Sequence, residues 1–301
     1  MADKDLLERE VKIFRDAAPE GAPLCLGFIG DMCLQREGSH IPILDAIDLY
    51  KPEVVQLFVP TDVLVSEIRS SFPSSIILAS ACTVSDARRL IEKGDVDGII
   101  ASGREAGGHG VSSKAGSGTL PLARRVVQIA KDNLTTKGSR IMVLAAGGIV
   151  DGAGVAACLA LHCDGAVLGT RLWATHQSLG SKSAKGLLPH ADADDVIRTG
   201  VYDAIGNKLA SHFGSPQWRP PFNHSGLLRN PTIDKYHSHS ADLMRFVEDL
   251  SPEDCRSELK NFVLAGEGVG SINELRDAEE IVREIEAETI ASIQSSYALL
   301  R

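Results

Sequence analysis

The feature that most constrains this chain is an alternation of short apolar runs with longer amphipathic stretches between residues 23 and 170. Short, wholly apolar strands separated by helices are typical of a parallel sheet covered by helices on both faces. The segments expected to form strands are Leu24–Phe28, Val54–Phe58, Ile76–Ala79, Gly98–Ala101, Met142–Ala146 and Ala166–Leu168. The segments with helical periodicity between them are Ile43–Leu49, Thr61–Ser70, Ser85–Lys93, Leu122–Asp132 and Gly152–Leu161. The sequence therefore predicts an α/β protein built from repeated βα units.

The pattern changes after the sixth of these runs. Residues 176–231 are polar and irregular, and the prolines that follow Trp218 resist regular structure. Two helices are then expected, at Ala241–Asp249 and Pro252–Phe262. In the last stretch, residues 272–300, apolar side chains recur at helical spacing. This spacing predicts an amphipathic helix docked on the core rather than a helix that binds a partner.

Composition restricts the class of protein further. The 301 residues carry 40 acidic and 31 basic side chains, a net charge of −9, whereas a nucleic-acid surface needs clustered Lys and Arg. No apolar run approaches the roughly 18 residues of a membrane span. The first residues, MADKDLLEREVK, are charged and unlike a secretory signal. We therefore expect a soluble, cytoplasmic protein that binds neither nucleic acid nor membrane.

Cysteine and histidine spacing predicts neither a disulfide framework nor a metal centre. The six cysteines never form a C-x-x-C pair, so buried free thiols are expected for all of them. His237 and His239 form an H-x-H pair, but no cysteine or carboxylate cluster accompanies it in the sequence. We therefore expect no metal ion.

Three glycine-rich segments each follow one of the later predicted strands; they are Gly103–Gly110, Ala145–Ile149 and Leu168–Arg171. In an α/β barrel the loops at that end of the strands form the active site, and the last two often bind a phosphate. Gly147, Gly148 and Gly169 would let the backbone approach an anion, and the Thr170 hydroxyl would add a donor. The alternative is that these glycines form tight turns without a ligand.

His109 is the one histidine among the nine that lies within such a segment. Gly107, Gly108 and Gly110 surround it, so little side-chain bulk covers the imidazole. An imidazole that titrates near neutral pH beside a ligand is suited to act as a general base or to hold an anionic substrate. The alternative is a histidine that only hydrogen-bonds a loop carbonyl group.

The segments EAGGHG, AAGGIVDGAGVAACLALHCDGAVLGTR and AGEGVGSI resemble the nitronate monooxygenase family, formerly called 2-nitropropane dioxygenases. The resemblance runs from about residue 20 to 200 and resumes near 262, and RTGVYDAI and SGLLRNP also fit. It implies an FMN-dependent (β/α)8 barrel of the TIM type with a smaller, mostly helical second domain. It also implies oxidation of an alkyl nitronate by O2 through the flavin, which yields a carbonyl compound and nitrite.

The resemblance also assigns roles to particular residues. His109 aligns with the catalytic histidine of the family. The FMN contacts that it implies, with their neighbours in the same motifs, are Ser102, Gly107, Gly108, Gly147, Gly148, Val167, Leu168, Gly169 and Thr170. The loops after the last two strands would hold the phosphate. The implied partners are a small nitronate or nitroalkane and O2.

Two residues depart from the family pattern. The family usually has Gln where Ser102 stands, so hydrogen bonding to the edge of the flavin ring would be shortened or mediated by water. The family usually has Glu where Gln177 stands, so this chain would lack one negative charge near the mouth of the barrel. Neither change abolishes phosphate binding.

The strand count predicts an incomplete barrel. The last two of the six strands match the seventh and eighth of the family, so the first two βα units have no counterpart before Leu24. The expected domains are residues 1–172 with 263–301, an N-terminally incomplete FMN-binding barrel, and residues 173–262, a smaller substrate or lid domain. Two unpaired sheet edges predict poor solubility, a homodimer across the gap or dependence on further residues.

Two other functions remain open at this point. FMN-dependent enoyl-acyl-carrier-protein reductases have similar EAGGH and AGGI motifs and use NAD(P)H, so rapid reduction of bound flavin by NADH would favour them. A non-catalytic remnant that binds a phosphate ligand or a partner would show no flavin absorption after reconstitution with FMN. The RTGVYDAI and AGEGVG segments favour the monooxygenase.

Overall fold

The structure, a computed structural model, describes residues 4–299. The chain divides into two compact units. The first comprises residues up to 81, 85–99 and 129–142, and the second comprises residues 82–84, 100–128 and those from 143 onward. The predicted domain boundaries at residues 172 and 262 stay a prediction.

The first unit is built around three parallel strands that pair in sequence order. Alternate side chains of these strands are buried, including Leu57 and Ile77, which are fully buried together with Ile68 and Ile91 from the helices. The strands are β1 (Cys25–Ile29), β2 (Val54–Phe58) and β3 (Ile76–Ala81). The helices are α1 (Lys4–Ala17), α2 (Gly30–Glu37), α3 (Ile41–Tyr50), α4 (Asp62–Ser71) and α5 (Val84–Lys93).

All six predicted strands are present and form one parallel sheet. The next strands along the chain are β4 (Gly98–Ser102), β5 (Gly108–Gly110), β6 (Met142–Ala146) and β7 (Gly165–Val167). The sheet order is β1-β2-β3-β4-β6-β7, and Ala146 of β6 pairs with Val167 of β7. The predicted α/β class is therefore confirmed.

A second sheet, which the sequence did not predict, belongs to the second unit. It contains β5, β8 (Val196–Thr199) and β9 (His224–Leu228) in the antiparallel order β5-β9-β8. The sequence predicts a loop around His109, but this residue lies at the centre of β5 and pairs with Ser225. A Gly-His-Gly segment has little strand propensity of its own, so its extended form depends on pairing with β9.

The remaining helices of the described chain follow in sequence order. They are α6 (Thr119–Lys131), α7 (Gly152–Ala160), α8 (Thr170–Trp173), α9 (Lys182–Leu187), α10 (Val201–His212), α11 (Pro231–Tyr236), α12 (Ser240–Asp249), α13 (Pro252–Glu258) and α14 (Ala278–Ala298). None of the helices among residues 4–299 is long and apolar enough to cross a bilayer.

Helix α10 corrects the expectation that residues 176–231 are irregular. Val201, Tyr202 and Ile205 on this helix are buried in a hydrophobic core. The partners in that core come from α11, α12 and α13, and they include Ile233 and Val247. The helix is therefore stabilised by tertiary packing rather than by a strong local pattern.

The C-terminal helix docks as predicted, but over less of its length. Ile281 and Ile285 of α14 are buried, and Glu288 accepts a 2.8 Å hydrogen bond from the Gly152 N–H at the start of α7. Ile290 and Ile293 are exposed, although their spacing is that of core residues.

The expectation of six buried free thiols is correct for five of them. Cys25 is exposed, because it occupies an outward-facing position on β1.

Candidate active site

The imidazole of His109 faces a buried carboxylate. Its Nε2 atom lies 2.8 Å from Oδ1 of Asp203, and the Asp203 side chain is only 1% exposed. The other carboxylate oxygen, Oδ2, accepts a 3.0 Å hydrogen bond from the Ser225 hydroxyl. We call these three residues the His109 cluster. The Nε2 atom of His109 thus contacts a carboxylate.

Trp218 covers one face of the same imidazole. The two ring centroids are 3.6 Å apart and the planes are inclined by 15°, which is a stacked arrangement. Asn207 fixes the tryptophan backbone, since its amide nitrogen donates to the Trp218 carbonyl at 2.6 Å and its amide oxygen accepts from the Trp218 N–H at 2.8 Å. Asp203 and Asn207 are four residues apart and lie on one face of α10. One face of α10 therefore orients the imidazole in two ways: Asp203 contacts the ring at Nε2, and Asn207 holds Trp218, which stacks on the ring face.

Arg198 fixes the backbone that carries His109. Its buried guanidinium donates to the carbonyl groups of Arg104 at 3.0 Å, Ala106 at 2.5 Å and Gly108 at 3.3 Å, and to that of His224 at 3.2 Å. Burial lowers the pKa of Arg198, although the nearby Asp203 acts in the opposite direction. The buried guanidinium of Arg198 thus holds three of the backbone carbonyl groups that precede His109.

The segment from Ala265 to Gly268 joins the predicted glycine-rich loops. The Gly266 N–H donates to the Thr170 hydroxyl at 2.9 Å. The backbones approach too closely for side chains. A Cβ on Gly107 would lie 2.7 Å from the carbonyl carbon of Ala265, and a Cβ on Gly268 would lie 2.9 Å from the carbonyl carbon of Gly148. We call Gly107, Gly148, Thr170, Gly266 and Gly268 the glycine junction. The structure therefore brings together three predicted site residues from three different loops.

Thr119 connects two of these loops from the start of α6. Its hydroxyl donates to the Gly147 carbonyl at 3.0 Å, and its N–H donates to the Glu105 carboxylate at 2.8 Å. Gly147 has a φ of 119°, and a Cβ there would lie 2.7 Å from the Thr119 hydroxyl. Glycine is therefore required at this position by backbone conformation and by packing, whether or not a ligand is bound.

Two other predicted residues leave their backbone accessible. At Gly108 and Gly169, apart from the chain neighbours, no described atom lies within 4 Å of where a Cβ would stand. Gly169 directly precedes α8, whose first residue is Thr170. These positions offer room for a ligand to approach the backbone.

The remaining predicted residues lie at strand ends. Ser102 is half-buried at the end of β4, and Val167 is half-buried at the end of β7 with Leu168 following it. Gln177 donates to the Asp277 carboxylate at 3.0 Å and accepts from the Ala278 N–H at 3.1 Å. Gln177 thus caps the start of α14, and any effect of this residue on substrate stays a prediction.

Two further titratable groups in the second unit have shifted pKa values. Burial lowers the pKa of His224, while Asp203 acts in the opposite direction, and the Nδ1 atom of His224 has no hydrogen-bond partner within residues 4–299. Burial, reinforced by the Glu105 carboxylate, raises the pKa of Glu267. Over the same residues, no three His, Cys, Asp or Glu side chains are grouped so that they could hold a metal ion.

Comparison with known sequences identifies the family. A sequence model of the nitronate monooxygenase family matches residues 35–285. The chain belongs to this family. The family and its relatives are oxidoreductases, so the chain is classed as an oxidoreductase enzyme.

The individual relatives differ in how far they align. Nitronate monooxygenase npaC of Metarhizium robertsii is 29% identical over 298 residues, which cover 94% of this chain and 78% of that protein. The nitronate monooxygenase of Paraburkholderia phytofirmans is 33% identical over 54% of this chain and 43% of its own length. The nitronate monooxygenase of Neurospora crassa is 29% identical over 74% of this chain and 56% of its own length. The chain therefore spans about half the length of the latter two relatives.

Solved structures share the fold of this nitronate monooxygenase family member at low identity. FabK from Thermotoga maritima superposes with a TM-score of 0.73 at 22% identity and covers 99% of this chain and 85% of its own. A nitroalkane oxidase from Streptomyces ansochromogenes superposes with a TM-score of 0.68 at 22% identity, over 97% of this chain and 86% of that one. The enoyl reductase domain of MlnA from Bacillus amyloliquefaciens superposes with a TM-score of 0.67 at 12% identity, over 98% of this chain and 88% of that one. These likenesses support a TIM-barrel-like α/β fold.

Five side chains of the site were not predicted for this family member, and all lie in the stretch expected to be irregular: Arg198, Asp203, Asn207, Trp218 and Ser225. Two segments of the resemblance contain some of them. RTGVYDAI contains Arg198 and Asp203, and SGLLRNP begins at Ser225.

Proposed function

We propose that the chain is an FMN-dependent enzyme that oxidises alkyl nitronates or nitroalkanes with O2 to a carbonyl compound and nitrite. The observation that carries the proposal is the setting of His109, which combines flanking glycines with a carboxylate 2.8 Å from Nε2. An imidazole held in this way is suited to take a proton from carbon or to hold a nitronate anion.

The residues present fit FMN in their chemistry. Gly169 has room at its backbone, and Gly148 has a φ of 70° that permits a close approach. The Thr170 hydroxyl accepts from Gly266, so its own O–H is suited to donate to a phosphate oxygen. These three residues would hold the phosphate, and Ser102, Gly107 and Gly108 would lie nearer the ring. When bound, FMN supplies the electron transfer to O2.

The protein itself contributes binding, orientation and proton handling. With a neutral nitroalkane, His109 takes the proton from the α-carbon and leaves a nitronate. With a preformed nitronate, the protonated imidazole holds the anion by charge and hydrogen bonding. Trp218 excludes water from one face of the ring because it stacks there at 3.6 Å. Both substrates therefore depend on the same side chain.

The test is the substitution His109→Asn in the FMN-loaded chain, with nitrite release from the nitronate of 2-nitropropane as the measurement. We expect the variant to keep its flavin absorption and to lose activity by about 100-fold or more, the contribution typical of a general acid–base residue. The exposed His190 provides the matched control, and His190→Asn should leave the rate unchanged. Full activity of His109→Asn would disprove the assigned role.

An enoyl reductase function is the second candidate, because the enoyl reductase domain of MlnA has a similar fold. The two functions differ in reductant. Rapid reduction of bound flavin by NADH without nitronate would support the reductase, whereas oxygen uptake that requires nitronate would support the monooxygenase. A chain that shows no flavin absorption after reconstitution with FMN would be the non-catalytic alternative.

A further inference from the structure

We propose that Asp203 is a positioning residue that makes His109 a base for neutral nitroalkanes. The inference rests on the proposed function, since it concerns the nitrogen atom through which His109 would meet the substrate. Asp203 reaches the substrate only through the imidazole, because its side chain is 1% exposed and lies behind Nε2.

The contact determines which ring nitrogen carries the proton. A carboxylate 2.8 Å from Nε2 favours the neutral tautomer with the proton on Nε2. The lone pair of Nδ1 is then the one that accepts the substrate proton. The carboxylate is itself oriented, because the Ser225 hydroxyl donates to Oδ2 at 3.0 Å.

The arrangement is rigid on both sides of the contact. Ser225 is fully buried on β9 and pairs directly with His109 on β5, so the sheet register fixes these two residues. Asp203 lies on α10 between Tyr202 and Ile205, both buried in the hydrophobic core of that helix. The imidazole and the carboxylate therefore keep their separation without help from a ligand.

The carboxylate that faces His109 is buried. Among the described residues, Oδ1 of Asp203 accepts no well-aligned hydrogen bond, so its 2.8 Å contact with Nε2 leaves the carboxylate only partly satisfied. A buried carboxylate without a full set of partners is costly, and a positive charge beside it reduces that cost. Formation of an imidazolium at His109 supplies this charge.

The proton transfer accounts for a difference between the two substrates. With a neutral nitroalkane, the α C–H bond breaks, the proton moves to Nδ1 of His109, and the electron pair stays on the substrate as a nitronate. The new imidazolium charge then lies against Asp203. A preformed nitronate undergoes no such transfer and only has to be held by the imidazole. Loss of the carboxylate should therefore weaken nitronate binding, but by less than it slows the reaction of the neutral nitroalkane.

The experiment compares kcat/KM for 2-nitropropane and for its nitronate in FMN-loaded Asp203→Asn. We expect a loss of at least 100-fold with the neutral nitroalkane and of less than 10-fold with the nitronate. Asp194→Asn removes the same charge from an exposed position of the same unit and should change neither value. Equal losses on both substrates would overturn the inference, because a structural role would act on both alike.

Two further measurements keep the inference testable if Asp203→Asn folds poorly. Ser225→Ala should show a smaller loss, about threefold to tenfold, again with the neutral nitroalkane only; a loss shared by both substrates would contradict the inference. Nitrogen-15 NMR can report which ring nitrogen of His109 carries the proton, and the His109 signals are the ones that disappear in His109→Asn. These signals should show the proton on Nε2 in the wild type and a mixture of tautomers in the Ser225 and Asp203 variants. Unchanged tautomers would also overturn it.

The two proposals fail in different ways. Full activity of His109→Asn contradicts the proposed function and this inference together. An inactive His109→Asn with a fully active Asp203→Asn contradicts this inference alone.

Discussion

At the scale of single residues, Arg198 holds the backbone around His109. Its guanidinium is the shared donor for the carbonyl groups of Arg104, Ala106 and Gly108. Few buried side chains satisfy so many backbone acceptors, and a carbonyl that loses its buried donor costs free energy.

Arg198→Met should therefore destabilise the protein. We expect the free energy of unfolding to fall by about 3 kcal/mol, because the variant leaves several partly buried carbonyl groups without their donor. Urea denaturation measures the change. Arg245, whose side chain is 77% exposed, gives the control Arg245→Met, which should be within about 0.5 kcal/mol of the wild type. A urea midpoint of Arg198→Met equal to that of the control would contradict the assigned role.

The residue scale also shows what a sequence reveals about a site. His109 could be singled out because three glycines within two positions of it signal exposed backbone. The contacts of Asp203 and Trp218 with the imidazole could not be predicted, although Asp203 lies in the RTGVYDAI segment. Both residues lie far along the chain in a stretch without periodicity and meet the imidazole through the packing of α10. Sequence patterns report local propensity, and a side-chain cluster of this kind is a product of tertiary structure.

At the scale of elements, the glycine junction depends on backbones that approach more closely than side chains allow. Gly266→Ala would place a Cβ 2.8 Å from the Glu105 carbonyl oxygen and 2.9 Å from the Gly107 nitrogen. The loops that carry Thr170 and His109 would then have to separate. We expect weaker FMN binding, by about tenfold or more, because the proposed phosphate and ring contacts lie on those loops.

Fluorescence titration of FMN measures this effect. Gly186→Ala is the matched control, because no described atom apart from its chain neighbours lies within 4 Å of a Cβ at that helical position. The control should bind FMN normally and gain slight stability from the lower flexibility of its unfolded chain. FMN affinity in Gly266→Ala equal to that of the control would contradict a role for the junction.

Elements also differ in how well the sequence predicts them. The six parallel strands were predictable because short apolar runs between helical segments, such as Met142–Ala146, are typical of a sheet covered on both faces. The strands β5 and β9 were not, since Gly108–Gly110 lacks strand formers and is paired only across more than a hundred residues of chain.

At the scale of the whole molecule, pH is expected to act through the half-buried His224. Burial lowers the pKa of His224, so the unfolded chain takes up the proton more readily than the folded one. Stability should therefore fall as the pH drops below the unfolded value of about 6.5.

Melting temperatures at pH 7.5 and 5.5 test this expectation. The drop between the two should be smaller in His224→Gln than in the wild type, whereas His190→Gln, at an exposed position, should drop as much as the wild type does. An equal drop in all three proteins would show that His224 does not contribute.

The proposed activity is also a property of the whole molecule, because the sheet, the glycine junction and the His109 cluster must all be in place. The most direct test mixes the FMN-loaded chain with the nitronate of 2-nitropropane in the absence of O2 and follows the absorption of oxidised flavin. We predict that nitronate bleaches this band in the wild type, that the band returns with nitrite release when O2 is admitted, and that His109→Asn bleaches at least about 100-fold more slowly. A band that nitronate leaves unchanged, or that NADH alone bleaches rapidly, would contradict the account.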